Sequence, residues 1–469
     1  MKRQKIFILA SLVLLLGGCT LAPKYTRPEA PIPAEWLQDE SLRNVEVYEE
    51  ATTTMDFRWQ EFYKDEMVQK IIEISLKNNR DFELVILNVE RARALYGIQR
   101  DELFPGIDAF GSGSKQRVPA DLSSTGEAVT AEEYSVSLGI SSWEIDFFGR
   151  IRSLKDKALE EYLATDAARR SAQISLISEV ARVFLTLAKD RETLKLARST
   201  LETQQGIYDL IFKQYEVGLA NELDLHRAHT QVDAARLDVS RFTQLVAQDK
   251  NALNLLAGTP VPEGLLPEDL SSVTPLKDIA PGLPSEILLN RPDIVQAEHQ
   301  LKAAYAFIGA ARSAFFPRIS LTTMFGTASA ELSGLFKSGS GTWNFSPQII
   351  LPIFDTRTWA AFRFSKVDRE IALTKYEKAI QTAFREVADT LVIQSSVDEQ
   401  ISAQESMVNA LSETYRLSLE RYNKGVDSYF SVLNAQRDLY GAEQVLITFQ
   451  LAKLASQVRL FAVLGGGCE

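Results

Sequence analysis

The fold is decided by the residues from Val180 to Gly218, which have the sequence VARVFLTLAKDRETLKLARSTLETQQGIYDLIFKQYEVG. Apolar or aromatic residues recur in it at every seventh position: Val180, Leu187, Leu194, Leu201, Tyr208 and Tyr215. A strict seven-residue repeat keeps one seam of a helix against its neighbour when helices supercoil, so the pattern predicts coiled-coil-like packing. The run lacks proline back to Gly149. At about 1.5 Å per residue, it predicts a helix of roughly 100 Å.

A second helical arm follows the break at Gly218. The seven-residue spacing resumes in it and continues to the end of the segment: Leu225, Val232, Val239, Val246 and Leu253. Two seams separated by one glycine predict a long helical hairpin that closes in a tight turn.

The second half of the chain repeats the first at a constant offset of 207 residues. The offset relates Val180 to Val387, Leu194 to Ile401, Leu201 to Val408, Tyr208 to Tyr415, Tyr215 to Tyr422 and Gly218 to Gly425. We therefore predict a tandem duplication. Its segments are a signal peptide (1–18), a tether (19–58), a first repeat (59–257), a linker (258–284) and a second repeat (285–469). The repeats contain strand pairs at about 106–146 and 318–354, and long helical hairpins at about 149–257 and 357–464.

The N-terminus has the form of an export signal. Lys2, Arg3 and Lys5 precede an apolar run, and Gly17 and Gly18 stand directly before Cys19. The apolar run is too short to cross a bilayer core of about 30 Å, so it predicts a cleaved signal peptide. The segment resembles a bacterial lipoprotein signal, which implies that Cys19 is lipidated and becomes the first mature residue. Sorting to the outer membrane is also implied.

Composition excludes several functional classes. The chain carries 51 Lys and Arg against 62 Asp and Glu, for a net charge of −11. Loss of the three signal-peptide cations would make it −14, which gives no electrostatic basis for binding nucleic acid. Cys468 is the only cysteine besides Cys19, so no intrachain disulfide is expected in the mature protein. Without a later run of about 18 apolar residues, a membrane crossing would require a closed β-barrel.

The predicted strands alternate apolar and small polar residues. In the first pair Tyr134, Val136, Leu138 and Ile140 alternate with Ser135, Ser137, Gly139 and Ser141. Each strand has roughly ten residues, the length that a tilted transmembrane strand needs. Four strands cannot close a barrel, eight give a lumen filled by side chains, and 12 leave room for a conduit. We therefore predict a mixed, mainly α fold. Three copies would form a 12-stranded transmembrane β-barrel continuous with a long α-helical barrel.

Several motifs of the second repeat carry a family resemblance. They are Asn290-Arg291-Pro292-Asp293-Ile294, Gln296-Ala297-Glu298, Ile308-Gly309-Ala310-Ala311-Arg312 and Phe315-Phe316-Pro317-Arg318-Ile319-Ser320-Leu321. Together they resemble the signature of TolC-type outer membrane factors, and with the lipoprotein signal they resemble the OprM-like branch. The resemblance implies a homotrimeric, non-enzymatic exit duct in the outer membrane of a Gram-negative bacterium. Its implied partners are a periplasmic adaptor and a proton-driven inner-membrane transporter, and its implied cargo is drugs or other small molecules.

The functional residues are expected at the two helical turns. Glycines suit the turns themselves; Asn221 can cap the helix after Gly218, and Asp427 or Ser428 the helix after Gly425. The resemblance places a periplasmic gate at Tyr215, Asp224 and Tyr422 and adaptor-docking tips at Val217, Gly218, Leu219, Lys424, Gly425 and Val426. The predicted gate also includes Asp427, Ser431 and Asn434, three positions at which the chain departs from TolC. An arginine–aspartate lock is therefore not carried over. Three copies of Asp224 would repel one another and could bind a divalent cation.

Other functions were weighed against this one. His226 and His229 lie three residues apart beside Asp224 and Asp233, a spacing that can bind metal on a helix, but exposed polar side chains explain it as well. No phosphate-binding loop, nucleophile motif or cysteine pair predicts an enzyme, and no cofactor beyond the lipid is expected. Two alternatives stay open: a duct for type I protein secretion, and a lipid-anchored coiled-coil spacer without a conduit.

Overall fold

The structure, a computed structural model, describes residues 20–33, 58–274, 276 and 285–466. The predicted signal peptide, the lipid attachment site Cys19, most of the tether, part of the linker and Cys468 lie outside these residues. The elements are α1 (Trp59–Phe62), α2 (Glu66–Asn78), α3 (Arg80–Asp101), β1 (Asp108–Val118), β2 (Val129–Glu144), α4 (Arg150–Glu216), α5 (Glu222–Ala257), α6 (Pro292–Ser313), β3 (Arg318–Ser329), β4 (Gly341–Ile350), α7 (Thr356–Asn423) and α8 (Tyr429–Val463). Short 3-10 turns occupy Glu263–Leu265, Leu270–Ser272, Ser285–Asn290 and Leu332–Gly334.

The four strands form one antiparallel sheet in the order β1-β2-β3-β4. The β2–β3 pairing joins the strands of the two repeats, and its register shifts between Ile140 and Trp143. Ser142 in this bulge has a φ of 56°, which is uncommon for a residue other than glycine. Within the described residues, β1 and β4 each pair on one side only. The sheet is therefore open at both edges.

The register brings the predicted apolar rows onto one face of this sheet. Leu138 lies opposite Phe325, which in turn lies opposite Trp343. These three side chains are 60%, 64% and 72% exposed. The opposite face carries small and polar side chains, and the Ser112 and Ser135 hydroxyls on it are 2.7 Å apart. A sheet with an uncovered apolar face and a polar face matches the predicted alternation.

Two close approaches tighten the contact between β2 and β3. A Cβ on Gly139 would lie 2.2 Å from the Thr323 carbonyl oxygen, and one on Gly326 would lie 2.2 Å from the Val136 carbonyl oxygen. Both distances are shorter than any allowed contact, so only glycine fits these positions.

The two helical hairpins match the predicted ones closely. Helix α4 has 67 residues and α7 has 68, and they are followed by α5 with 36 residues and α8 with 35. At about 1.5 Å per residue, α4 and α7 are each roughly 100 Å long. The described chain falls into two compact units, and each unit contains residues of both repeats. The first contains Asn88–Thr165 and Gln296–Tyr376, and the second contains Asp166–Val295 and Glu377–Glu469.

The second unit has an extensive apolar core. Ile177, Phe184 and Leu187 of α4 are almost fully buried in it, and the Phe62 ring stacks on the Phe461 ring at 4.2 Å. By length and composition, α4 and α8 each contain a window that could cross a membrane, 56% and 28% buried respectively. Packing in the core accounts for apolar side chains in α4, since a buried helix has the same composition.

The Asn-Arg-Pro-Asp motif also belongs to this unit. The Arg291 guanidinium is buried; it donates to the Val463 carbonyl oxygen at 2.6 Å and forms ion pairs with Asp293 at 2.7 Å and Glu386 at 3.0 Å. Val463 is the last residue of α8, so Arg291 satisfies a carbonyl that the helix leaves unpaired. The motif therefore joins the start of α6 to α7 and to the end of α8. Its role here is structural.

Candidate functional site at the helical turns

The turn between α4 and α5 is closed by glycine. Gly218 has a φ of +77°, the left-handed region that other residues rarely adopt. Its amide donates to the Tyr215 carbonyl at 2.9 Å, and the Leu219 amide donates to the Gln214 carbonyl at 2.8 Å. This pair of bonds is a Schellman motif, which satisfies carbonyls at the end of α4.

The turn between α7 and α8 has the same construction 207 residues later. Gly425 has a φ of +72°; its amide donates to the Tyr422 carbonyl at 2.8 Å, and the Val426 amide donates to the Arg421 carbonyl at 2.9 Å. The prediction of paired glycine turns is therefore confirmed. The next helix starts differently in the two copies. The Asn221 side chain caps α5 by accepting from the Asp224 amide at 2.8 Å, whereas Ser428 makes no such bond for α8.

The predicted docking tips are exposed. Val217, Leu219 and Val426 are 70%, 80% and 61% exposed, and Gly218, Lys424 and Gly425 are exposed with them. Three large apolar side chains at the ends of two hairpins carry a cost in water unless another surface covers them. Their role as docking tips stays a prediction.

The predicted gate tyrosines have different environments. Tyr215 is 40% exposed, whereas Tyr422 is half-buried and its hydroxyl donates to the Gln214 side-chain oxygen at 3.1 Å. The Tyr422 ring lies 5.6 Å from the buried Tyr429 ring. Burial, and next the Asp224 charge, raise the pKa of Tyr422. Its hydroxyl therefore stays protonated and remains a hydrogen-bond donor at neutral pH.

Tyr422 and Tyr429 belong to a small apolar cluster that holds the two turns together. Its buried members are Ile211, Ala228, Tyr429, Val432 and Leu433, and partly buried residues that pack on it include Tyr208, Leu225, Tyr415 and Tyr422. The members come from α4, α5, α7 and α8. Both hairpins therefore share one core beside the candidate gate.

Each carboxylate of the candidate gate, Asp224 and Asp427, forms an ion pair with an arginine of the same chain. Asp224 lies 3.4 Å from Arg227 and also accepts from the Asn221 side-chain amide at 2.8 Å. Asp427 pairs with Arg421 at 2.6 Å across the second turn, and this hydrogen bond lowers the pKa of Asp427. An arginine–aspartate pair is thus present, although the resemblance did not carry one over. Within one chain, an arginine therefore already offsets part of the negative charge of each carboxylate.

The repeat offset explains which gate residues were missed. Adding 207 to Asp224 gives Ser431, to Arg227 gives Asn434, and to Gln214 gives Arg421. At each of these equivalent positions, one repeat has a charged residue and the other has a neutral one. Ser431 and Asn434 are half-buried beside the turn. Aligning the two repeats would have pointed to Arg227, because its equivalent Asn434 was already a candidate. Gln214 and Arg421 are equivalent to each other, and neither was predicted as a site residue.

The histidines form isolated pairs in the structure. His226 lies 3.7 Å from Glu222, and His229 lies 3.8 Å from Asp233. In the described part of the chain, no three His, Cys, Asp or Glu residues come together as a metal site would require.

Comparisons with known proteins agree with the resemblance. A profile of the outer membrane efflux protein family matches residues 71–259 and 283–466, one segment in each predicted repeat. The toluene efflux pump outer membrane protein TtgC of Pseudomonas putida is 45% identical over 465 residues, covering 99% of this chain and 96% of TtgC.

Solved structures are similar over nearly the whole chain. A membrane protein from Pseudomonas aeruginosa matches with a TM-score of 0.89 and 39% identity, covering 96% of this chain and 98% of that one. The open state of the Neisseria gonorrhoeae MtrE outer membrane channel matches with a TM-score of 0.85 and 34% identity, covering 96% and 99%. The predicted fold class is confirmed.

Proposed function

The chain belongs to the outer membrane efflux protein family, and from this premise we propose that three copies assemble into the exit duct of a tripartite efflux pump. The protein is located in the outer membrane. The duct performs no chemistry; it carries drugs or other small molecules that an inner-membrane transporter delivers through a periplasmic adaptor. The name of TtgC assigns toluene efflux to that relative, which supports small apolar molecules as cargo here.

The four-stranded sheet is the observation that carries this proposal. Its edges β1 and β4 are unpaired within the described chain, and its apolar face is uncovered. Unpaired backbone groups are costly in lipid, so the edges must meet other strands. Pairing β1 of one copy with β4 of the next closes a barrel, and three copies give the 12 strands that leave an open lumen. Cyclic oligomers usually form in this way, by repeating one interface between subunits until the ring closes.

The helical turns carry the predicted partner contacts and the predicted gate. We assign the exposed Val217, Leu219 and Val426 to contact with the adaptor, because apolar tips need a covering surface. We assign Tyr422 and Asp224 to the closed periplasmic gate. The lipid on Cys19 assists the strands in holding the trimer in the membrane. The spacer alternative requires the strand pairs to be soluble hairpins with covered apolar rows, and the uncovered apolar face of the sheet does not favour it.

Assembly and conduction test the proposal together. Detergent-purified protein is expected to have the mass of three chains in light scattering and to give single-channel current steps in planar lipid bilayers. Gly326→Val is the matched perturbation, because a Cβ there meets the β2 backbone and should prevent both results. Gly97→Ala, at a helical glycine with open space around it, should conduct like wild type. A monodisperse monomer that never conducts would contradict the proposed duct.

A further inference from the structure

A cavity lies in the first compact unit, where β2 and β4 end and β3 begins. Its volume is about 310 Å³, within the range of about 300 to 1,000 Å³ in which pockets hold small organic molecules. We call it the junction cavity, and the side chains that characterise it are Glu144, Phe148, Arg150, Phe316 and Arg318. None of the predicted gate or docking residues lines it. The cavity is therefore not part of the candidate site at the helical turns.

The strand register shows on which face of the sheet the cavity opens. Every second residue of a strand lies on the same face. From Arg318 this count reaches Ala328, which is opposite Ser135 on the polar face of the sheet. Glu144 is on that face too, because its carboxylate pairs with Arg318 at 2.6 Å. The charged side chains of the cavity therefore continue the polar face, which lines the lumen of the proposed duct.

Two arginines of the junction cavity share one carboxylate. Arg150 binds Glu144 through two hydrogen bonds of 2.8 Å, and Arg318 pairs with the same side chain at 2.6 Å. The Glu144 side chain is only 14% exposed, whereas that of Arg318 is 55% exposed. Two guanidiniums carry more N–H donors than one carboxylate can accept. The cluster therefore has one positive charge and several donors beyond those that Glu144 can satisfy.

The other two carboxylates that line the cavity have arginines of their own. Asp146 accepts from the Arg152 amide at 2.9 Å and from its guanidinium at 3.2 Å. Asp355 accepts from the Arg357 amide at 2.9 Å and from its guanidinium at 3.2 Å. The lining residues and their ion-pair partners therefore comprise four arginines and three carboxylates. The charge that is left over is positive, and it belongs to the cluster around Glu144.

Aromatic rings form the apolar wall of the cavity. Phe148 and Phe316 stack with their centroids 4.9 Å apart, and their planes differ by 23°. Phe316 is 42% exposed and Phe147 is 38% exposed. Ring faces that remain open to water gain free energy when an apolar surface covers them. The cavity therefore joins an apolar wall to a positively charged group.

We propose that the junction cavity binds small organic anions, in which a carboxylate or sulfonate is attached to an aromatic or other apolar body. The anionic group accepts hydrogen bonds from Arg318 and Arg150, since guanidiniums match the geometry of such oxygens. The apolar body packs on the rings of Phe148 and Phe316. That these anions pass the cavity on their way out rests on the proposed duct, but their binding does not.

Equilibrium dialysis tests the site with three probes that share one ring system. Full-length protein in phosphatidylcholine nanodiscs is dialysed against naphthalene-2-sulfonate, the neutral naphthalene-2-sulfonamide or the cationic 2-naphthylmethylammonium, and uptake by empty nanodiscs is subtracted. Wild type should bind the sulfonate saturably, one molecule per chain, and should bind the other two at least about tenfold more weakly, because only the anion gains charge-assisted hydrogen bonds.

Three variants connect this binding to the cavity. Arg318→Gln should weaken sulfonate binding about tenfold, and its exposed side chain makes it a mild change for the fold. Arg117→Gln is the matched control, because Arg117 is an exposed arginine at the other end of the sheet. Glu144→Gln should bind the sulfonate more tightly, since both arginines lose their competing carboxylate. Damage to the fold would weaken binding instead, so the opposite signs separate the two causes.

The inference fails if the sulfonate does not bind saturably, if the neutral probe binds as tightly as the sulfonate, or if Arg318→Gln and Arg117→Gln bind it equally. Conductance of the same protein in planar bilayers tests the duct independently. Wild-type protein that conducts but does not bind the sulfonate would overturn the anion site and leave the duct intact. Protein that binds the sulfonate but never conducts would contradict the duct and leave the anion site.

Discussion

Replacing Tyr422 with phenylalanine removes one hydroxyl from the candidate gate and leaves its packing in place. In the structure that hydroxyl donates to Gln214 at 3.1 Å, and the bond joins helix α7 to helix α4. An opening motion that separates the two hairpins must break it. A hydrogen bond of this kind contributes about 1 kcal/mol net. Its loss should therefore shift the open-to-closed ratio about fivefold per chain, and about 150-fold if three copies open together.

Single-channel recording in planar bilayers measures this ratio directly as open probability. Tyr208→Phe is the matched control, because Tyr208 packs on the same apolar cluster but is not a predicted gate residue. Gln214→Met supplies the other half of a double-mutant cycle. If the bond holds the gate, the Tyr422→Phe, Gln214→Met double variant should open no more than either single variant. Additive effects, or an unchanged open probability in Tyr422→Phe, would refute the reasoning.

Two further predictions concern carboxylates. Asp224→Asn should weaken the block of the channel by divalent cations and its selectivity for cations. Assembly should change little, since asparagine can keep the contact with Arg227. If block and selectivity in bilayers are unchanged, Asp224 is not part of the gate. The second residue is Asp249, whose pKa is raised to about 7 by burial and by its hydrogen bond with Asp190. The folded chain therefore holds a proton that the unfolded chain loses near pH 4, so stability should fall between about pH 4 and 7 and level off above. The melting temperature should differ less between pH 5 and pH 8 for Asp249→Asn than for wild type or for the control Asp233→Asn. Equal differences in all three proteins would contradict the raised pKa of Asp249.

The parts of the fold that depend on local periodicity could be predicted from the sequence. The seven-residue spacing from Val180 to Tyr215 places α4, and the turn glycines Gly218 and Gly425 mark where both long helices end. Alternation from Tyr134 to Ile140 places β2. These patterns succeed because helix and strand periods are properties of neighbouring residues, and because left-handed φ angles favour glycine. The lipid attachment at Cys19 also comes from the sequence alone and stays a prediction.

The contacts between distant residues were decided only by the tertiary structure. The pairing of Leu138 with Phe325 depends on β2 meeting β3 across the repeat boundary, and no local period determines that register. The bond from Tyr422 to Gln214 and the ion pair of Asp427 with Arg421 likewise depend on the exact orientation of side chains at a turn. Sequence periodicity states which face a residue occupies. Which partner it meets there depends on how the whole chain packs.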